Sequence, residues 1–271
     1  MTDLFEGKLI LTDLDGTLLD ERDEISEENR RAVDRFIEGG GLFSVATGRS
    51  KMGMEHFFPR LRINAPAVLY NGAAIYDFAA GREIDSAPVG ESGARLAARL
   101  IRTFPELGVE VYSGHVPYVA QGNDYSRRHF ASVKTPWNPC PPEAIPQPWL
   151  SLVLTGENGL LRAAEDVIRN GFPDAFFLQY SSPHMLEVLR KDANKGAGAL
   201  RLAKLLGVGP EGLFTVGDGT NDVQLLACAF HSCAPENACP RILAAVRHRL
   251  PHHKDHAIAA LIERLAKGEY A

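Results

Sequence analysis

Three short apolar segments, each followed at once by polar residues, constrain the fold of this chain more than any other feature. The segments cover residues 8–12, 42–46 and 213–216, and polar tripeptides begin at Asp13, Thr47 and Asp218. Continuous apolar strands separated by helical segments are typical of a parallel sheet covered on both faces. Because ligands bind outside the carboxyl ends of such strands, the three tripeptides are predicted to line one crevice.

The chain is predicted to contain a doubly wound parallel α/β core with an inserted α+β unit. A fourth apolar segment, 67–70, fits the core pattern, and Ser26 and the glycines at 39–41 are expected to bound its first helix. From about residue 74 to 183, shorter strands alternate with helices and a proline-rich loop. The strand at 185–189 is taken to resume the parallel pattern. The predicted core therefore spans 1–76 and 186–271, and the predicted cap spans 77–185.

Composition supports a globular chain and excludes several classes of partner. Hydrophobic residues make up 45% of the 271 residues, and the net charge is −5, which argues against a nucleic-acid partner. No apolar run approaches the ~18 residues of a membrane span. The N-terminal segment is acidic rather than basic, so we expect a cytoplasmic protein. Protein partners are not predictable from the sequence.

Cysteines and histidines offer two alternative metal sites, both disfavoured by their spacing. Cys228, Cys233 and Cys239 lie within twelve residues but lack the Cys-x-x-Cys pair of structural zinc sites, so packed free thiols are expected. The histidines near the C-terminus straddle Pro251 and are expected to decorate an exposed loop; they are His248, His252, His253 and His256.

The crevice residues predict an anion site that contains a cation. Asp13, Asp15 and Asp218 would repel one another unless a counter-charge were present, and Mg²⁺ prefers such oxygen ligands. Lys195 opens a predicted helix and can bring an ammonium group to the same edge.

With the charge of a phosphoryl group neutralised by the metal and Lys195, a carboxylate can attack phosphorus and form an aspartyl-phosphate. The alternation of Asp13 and Asp15 suits one for attack and the other for the leaving-group proton. Gly16 lets the chain turn closely beneath the phosphate.

Four segments in order resemble the motifs of the haloacid dehalogenase superfamily. They are residues 13–18 (DLDGTL), 46–49 (ATGR), 194–196 (NKG) and 217–222 (GDGTND). Residues 70–73 (YNGA) and the large insertion are similar to the Cof-like phosphatases of subclass IIB. The resemblance covers essentially the whole chain.

The resemblance implies a role for each matching residue. Asp13 matches the nucleophile and a metal ligand, and Asp15 matches the general acid/base, whose backbone carbonyl reaches the metal. Thr47 and Lys195 match groups that hold phosphoryl oxygens, and Asp218 matches the remaining carboxylate ligand of Mg²⁺. The other predicted contacts to phosphate or substrate are Leu14, Gly16, Gly48, Arg49 and Asn221. Asp222 is expected to orient Lys195 and the metal waters.

The expected function is Mg²⁺-dependent hydrolysis of a small phosphomonoester, with sugar phosphates as the leading class. The expected partner is therefore a small phosphorylated metabolite. The cap is expected to close over the site and select the substrate. Two alternatives remain: a phosphosugar mutase built on the same core, and a non-catalytic sugar-phosphate sensor. The presence of all three aspartates counts against the sensor.

Overall fold

The computed structural model describes residues 4–270, which form two compact units. Fourteen strands lie within these residues: β1 (Leu9–Thr12), β2 (Leu42–Val45), β3 (Ala67–Leu69), β4 (Ala74–Asp77), β5 (Arg82–Ser86), β6 (Gly108–Ser113), β7 (Val116–Gln121), β8 (Asn138–Pro139), β9 (Trp149–Thr155), β10 (Phe176–Ser182), β11 (Met185–Arg190), β12 (Leu213–Val216), β13 (His231–Pro235) and β14 (His248–Leu250). Nine α-helices lie in the same part of the chain: α1 (Glu27–Glu38), α2 (Lys51–Glu55), α3 (Gly90–Thr103), α4 (Asp124–Val133), α5 (Asn158–Gly171), α6 (Lys195–Leu205), α7 (Val223–Ala227), α8 (Pro240–Ala245) and α9 (Ala257–Ala266).

The first unit is built on a five-stranded parallel sheet. It comprises the described residues up to Gly48, Glu55–Ile84, and the chain from Lys195 onward. Its strands run in the order β14-β13-β12-β1-β2, and every neighbouring pair is parallel. Side chains of β1 and β12 share a buried apolar cluster with α6 and α7. Helices α1 and α9 pack against each other and against β2 and β14, so the doubly wound fold class is confirmed.

The first helix begins and ends where its residues predict. The Ser26 hydroxyl accepts a hydrogen bond from the Asn29 amide at 3.2 Å, which satisfies one of the first-turn N–H groups. Gly39 is the C-cap, and Gly40 follows with a φ of +89°. Both predicted ends of α1 are confirmed.

The apolar segment at 67–70 was predicted to be another parallel strand of the core, but it joins the core differently. Val68 forms an isolated parallel bridge with Ala46, but β3 pairs antiparallel with β4 in a separate three-stranded sheet, β3-β4-β5. The chain reverses at Tyr70–Gly72, where three successive φ angles are positive (50°, 49° and 98°). This tight reversal allows the next strand to return beside β3.

The second unit, residues 49–54 and 85–194, is an α+β insertion around a six-stranded sheet. The strand order is β10-β11-β9-β6-β7-β8, antiparallel apart from the short β7–β8 pair. Helices α3 and α5 cover one face, where their apolar residues pack on Trp149 and on alternate residues of the strands.

The expectation that residues 185–189 resume the parallel core is wrong. Strand β11 pairs antiparallel with both β9 and β10, and it therefore belongs to the second unit. Its apolar pattern is alternating: Leu186 and Val188 are fully buried in the second unit's core, whereas Glu187 between them is half-buried. By contact density the first unit extends to Ile84 rather than 76 and resumes at Lys195 rather than 186.

The histidines near the C-terminus do not share one exposed loop. His248 lies in β14, stacked beside the ring of His231. The His253 side chain is only 8% exposed. Within residues 4–270, no helix has the length and apolar character needed to cross a membrane.

Candidate active site

The carboxyl ends of three neighbouring strands place the site at one edge of the core sheet. Strand β1 lies between β12 and β2, and Thr12 is level with both Val216 and Val45. The residues that follow these three strands therefore emerge side by side. The Asp13 amide continues the ladder by donating to the Val216 carbonyl at 2.8 Å.

Lys195 lies between two aspartates. It is the first residue of α6 and is 1% exposed. Its Nζ donates to Asp13 Oδ1 and to Asp222 Oδ1, each at 2.7 Å. Burial lowers the pKa of Lys195, but the two carboxylates outweigh burial and the net shift is upward, so the group stays an ammonium. A lysine here opposes the helix dipole, and these two ion pairs account for its position.

Asp13 is a buried carboxylate with opposing influences on its charge. Burial and the nearby Asp222 raise its pKa, while Lys195 lowers it, and the net shift is upward. In the absence of a further cation, this carboxyl group therefore favours its protonated form more than an exposed aspartate does.

The loop after β1 holds the carboxylate of Asp218. Thr17 Oγ1 donates to Asp218 Oδ1 at 2.8 Å. Gly16 has a φ of +74°, and a Cβ atom placed on it would lie 2.6 Å from Asp218 Oδ2. Only glycine therefore allows the loop to approach this carboxylate so closely. Burial raises the pKa of Asp218 to about 6.

Asp222 fixes the loop that carries Asp218. Its Oδ2 accepts hydrogen bonds from the amides of Asp218 and Gly219 at 3.1 and 3.0 Å. Its Oδ1 accepts from Lys195, so one buried carboxylate joins the start of α6 to the loop after β12. Asp222 contacts Lys195 directly, and its role in orienting Lys195 and the metal waters stays a prediction.

The donor set fits a hard divalent cation such as Mg²⁺. One carboxylate oxygen each from Asp13, Asp218 and Asp222 lie within 4.8 Å of one another, and no other group of three such ligands occurs in residues 4–270. Burial raises the pKa of both Asp13 and Asp218, and the nearby Asp222 carboxylate raises each further. The predicted set contained Asp15 where this cluster has Asp222. The Asp15 side chain is exposed, and its role through the backbone carbonyl stays a prediction.

The remaining predicted residues occupy varied positions around this cluster. The Leu14 side chain is buried, and its carbonyl accepts from the amides of residues 17, 18 and 19, which closes the loop into a tight turn. Thr47 is 1% exposed, and its amide donates to Val68. Gly48 packs against the Asn71 amide group, where a Cβ would lie 2.8 Å from Nδ2. Their contacts to phosphate stay predictions.

The last two predicted substrate contacts are Asn221 and Arg49. Asn221 lies half-buried in the short 3₁₀ turn Thr220–Asp222, directly after Asp218 and Gly219. Arg49 belongs by contact to the second unit, although Thr47 and Gly48 belong to the first. Their roles toward substrate stay predictions.

Two residues of the site were not predicted to take part. Thr17 lies inside the first motif, but no role was assigned to its hydroxyl. Asn237 donates from Nδ2 to the Gly16 carbonyl at 2.7 Å, across 221 positions of sequence. It lies in a turn after β13, a strand that the sequence analysis did not predict, so no local signal pointed to it.

The cysteines lie outside this cluster. Cys233 is buried in β13, and burial raises its pKa to about 12. The Cys228 thiol donates to the Leu225 carbonyl. All four cysteines are free thiols.

Known proteins of similar sequence and fold are phosphatases and related hydrolases. A 5-amino-6-(5-phospho-D-ribitylamino)uracil phosphatase of Bacillus subtilis is 25% identical, with 97% of this chain and all of the relative covered. A haloacid dehalogenase-like hydrolase from Bacteroides thetaiotaomicron has a TM-score of 0.85 at 24% identity, covering 95% of this chain and 99% of its own. A sugar phosphatase of haloacid dehalogenase subclass IIB has a TM-score of 0.82 at 19% identity, covering 95% and 98%.

The family follows from a match that spans both motif-bearing ends of the chain. The family model for haloacid dehalogenase-like hydrolases matches residues 10–262, which include every strand of the five-stranded core sheet apart from Leu9. The four motifs, the fold and the family match agree, and this chain belongs to the haloacid dehalogenase-like hydrolases.

Proposed function

We propose that this hydrolase is a Mg²⁺-dependent phosphatase that acts on a small phosphomonoester, with sugar phosphates as the substrate class. The observation that supports this best is the position of Lys195 between Asp13 and Asp222, beside Asp218. Mg²⁺ held by Asp13 and Asp218 would neutralise phosphoryl oxygens of the substrate. The substrate class draws on the relatives, one of which is named for a ribityl phosphate and another as a sugar phosphatase.

In the first step, a carboxylate oxygen of Asp13 attacks phosphorus. Lys195 holds Oδ1 of Asp13, so the other carboxylate oxygen makes the new bond. The bond between phosphorus and the ester oxygen breaks, and Asp15 gives its proton to the departing alkoxide. The Lys195 ammonium and the Thr47 hydroxyl stabilise the charge that builds on the phosphoryl oxygens.

In the second step, water hydrolyses the aspartyl-phosphate. Asp15, now ionised, takes a proton from the water as the oxygen attacks phosphorus. The bond to Asp13 breaks, inorganic phosphate leaves, and both aspartates return to their starting state. The second unit supplies the contacts that select the alcohol portion of the substrate.

Phosphate release from a panel of phosphorylated sugars and 4-nitrophenyl phosphate tests this proposal. We expect release by the purified protein, its loss after chelation, and its return with added Mg²⁺. Activity that persists after thorough chelation would contradict the metal requirement. Transfer of phosphate to a second hydroxyl of the same sugar, without free phosphate, would identify a mutase instead. Tight binding of sugar phosphates without any turnover would identify a sensor.

A further inference from the structure

The turn after β13 makes two hydrogen bonds to the loops that follow β1 and β12. These hydrogen bonds have no part in the proposed mechanism. Asn237 Nδ2 donates to the Gly16 carbonyl at 2.7 Å, on the loop after β1. The amide of Cys239, two residues later, donates to the Asp218 carbonyl at 3.2 Å, on the loop after β12. One short turn therefore ties together two loops that are about 200 residues apart in sequence.

The side-chain amide of Asn237 is held at both ends. Its Oδ1 accepts the backbone N–H of His253 at 3.0 Å, while its Nδ2 donates to Gly16. With an acceptor and a donor both engaged, the amide has one preferred orientation. The His253 side chain is 8% exposed, so the far end of this bridge rests on packed structure.

The position of Gly16 decides where the Asp218 carboxylate lies. Gly16 approaches Asp218 Oδ2 so closely that a Cβ would lie 2.6 Å away. The adjacent Thr17 hydroxyl holds the other oxygen of Asp218 at 2.8 Å. A small shift of Gly16 therefore changes the contacts of both carboxylate oxygens.

We propose that Asn237 is a positioning residue that sets the affinity of the Asp13–Asp218–Asp222 cluster for a divalent cation. It does so by holding the Gly16 carbonyl, and with it the loop that fixes the Asp218 carboxylate. The proposal rests on the proposed function in one respect, namely that these aspartates bind a divalent cation. Residues that orient metal ligands commonly change metal affinity by about 10–100-fold when they are replaced.

Mn²⁺ titration followed by electron paramagnetic resonance tests the proposal without relying on turnover. We expect Asn237→Ala to weaken Mn²⁺ binding about tenfold or more relative to the wild-type protein. In activity assays, the Mg²⁺ concentration for half-activation should rise by a similar factor, while kcat at saturating Mg²⁺ stays within about threefold. A residue with a purely structural role would not shift the metal dependence in this selective way.

Asn64→Ala is the matched control. Asn64 also lies in the first unit and engages both ends of its side-chain amide with the backbone, since its Oδ1 accepts from the Phe43 amide at 2.8 Å and its Nδ2 donates to the Gly41 carbonyl at 3.0 Å. These contacts lie at the start of β2, whereas the site follows its end. We expect Asn64→Ala to lower the thermal midpoint and to leave Mn²⁺ affinity within twofold of wild type.

A second variant and a site control make each outcome decisive. If Asn237→Ala does not unfold cooperatively, Asn237→Ser decides, because serine suits a turn but its hydroxyl is too short to span both partners. Mn²⁺ affinity within twofold of wild type in the folded variant would overturn the inference, as would an equal loss in Asn64→Ala. A wild-type protein that binds no more Mn²⁺ than Asp218→Asn would instead overturn the proposed metal site.

Discussion

At the scale of single residues, the site is a problem of charge balance. Asp13, Asp218 and Asp222 together carry more negative charge than the single ammonium of Lys195 offsets. Burial makes the ionised forms more costly, because it raises the pKa of both Asp13 and Asp218. In the proposed site, a divalent cation would supply the missing positive charge, so metal binding and the ionisation of Asp13 would be interdependent.

Replacing Lys195 should destabilise the metal-free protein strongly. Lys195→Met leaves two buried carboxylates without their shared partner, so we expect a loss of about 3–5 kcal/mol in the free energy of unfolding. Urea denaturation in the presence of a chelator measures it. Lys254→Met removes an ammonium that pairs with Glu21 but is 55% exposed, and it should change the free energy of unfolding by less than about 1 kcal/mol. Equal effects of the two variants would contradict this account.

Replacing the nucleophile should separate activity from stability. We expect Asp13→Asn to lower kcat for 4-nitrophenyl phosphate by about a thousandfold or more, because an amide cannot form the covalent intermediate. The unfolding midpoint without metal should not fall, since the substitution removes a charge that burial disfavours. Asp174→Asn, at an exposed aspartate of the second unit, serves as the control. Substantial turnover by Asp13→Asn would exclude its role as nucleophile.

At the scale of elements, parallel strands bring the loops together and glycines let them touch. In the register of β1 with β12 and β2, Thr12 is level with Val216 and Val45. The loops that carry Asp13, Asp218 and Thr47 therefore leave the sheet next to one another. Close approach then needs residues without side chains: a Cβ on Gly196 would lie 2.1 Å from the Gln224 carbonyl, where α6 meets α7. The packing of α6 on α7 in turn fixes Lys195 near Asp222.

Two glycines with the same backbone conformation separate strain from site geometry. Gly16 and Gly7 have φ angles of +74° and +73°, but a Cβ on Gly7 would meet nothing within 4 Å. Alanine at either position should cost about 1–2 kcal/mol of stability for the left-handed conformation. Only Gly16→Ala should also displace Asp218 and lower both Mn²⁺ affinity and kcat. Thermal unfolding, metal titration and turnover distinguish them, and equal activity of the two variants would refute the role assigned to Gly16.

At the scale of the whole molecule, the two edges of the core sheet are chemically different. The edge at the strand ends carries the buried aspartates and Lys195. The opposite edge, where the strands begin, carries a cavity of about 620 Å³ lined in part by His231, His248 and Tyr270. The imidazole of His231 stacks on the ring of Phe214, with 4.2 Å between the ring centroids. Its Nδ1 lies 3.5 Å from Nε2 of His248.

This histidine pair should make the fold less stable in acid. Burial lowers the pKa of both His231 and His248, and the nearby Arg247 lowers each further. Below about pH 6.5 the unfolded chain therefore binds protons that the folded chain resists, so stability falls as the pH drops. The raised pKa values of Asp13 and Asp218 act in the opposite direction, so the test is the difference between proteins: on going from pH 8 to pH 5, the thermal midpoint of His248→Gln should rise relative to that of wild type. His56→Gln, at an exposed residue, should keep the wild-type slope. An unchanged slope in His248→Gln would contradict the prediction.

Local patterns in the sequence were sufficient for three strands of the parallel core, β1, β2 and β12, and for the polar residues that follow them. Apolar runs that stop at Asp13, Thr47 and Asp218 predict buried strands followed by polar loops. These predictions are possible because each pattern involves only residues that are adjacent in the sequence. The ends of α1 at Ser26 and Gly39 followed from capping chemistry in the same way. A functional role for Lys195 was predicted from the sequence, since a lysine at the start of a helix opposes the helix dipole.

Long-range pairing decided what these local patterns could not. Strand β11 is apolar enough for either unit, and only its partners β9 and β10 assign it to the second. Asp222 joined the carboxylate cluster because α6 packs beside α7, and Asn237 reached Gly16 from a turn 221 positions away. Hydrogen bonds and ion pairs of this range depend on which elements become neighbours. Burial of the whole core determines which elements become neighbours. No motif of fixed spacing in the sequence therefore predicts these contacts.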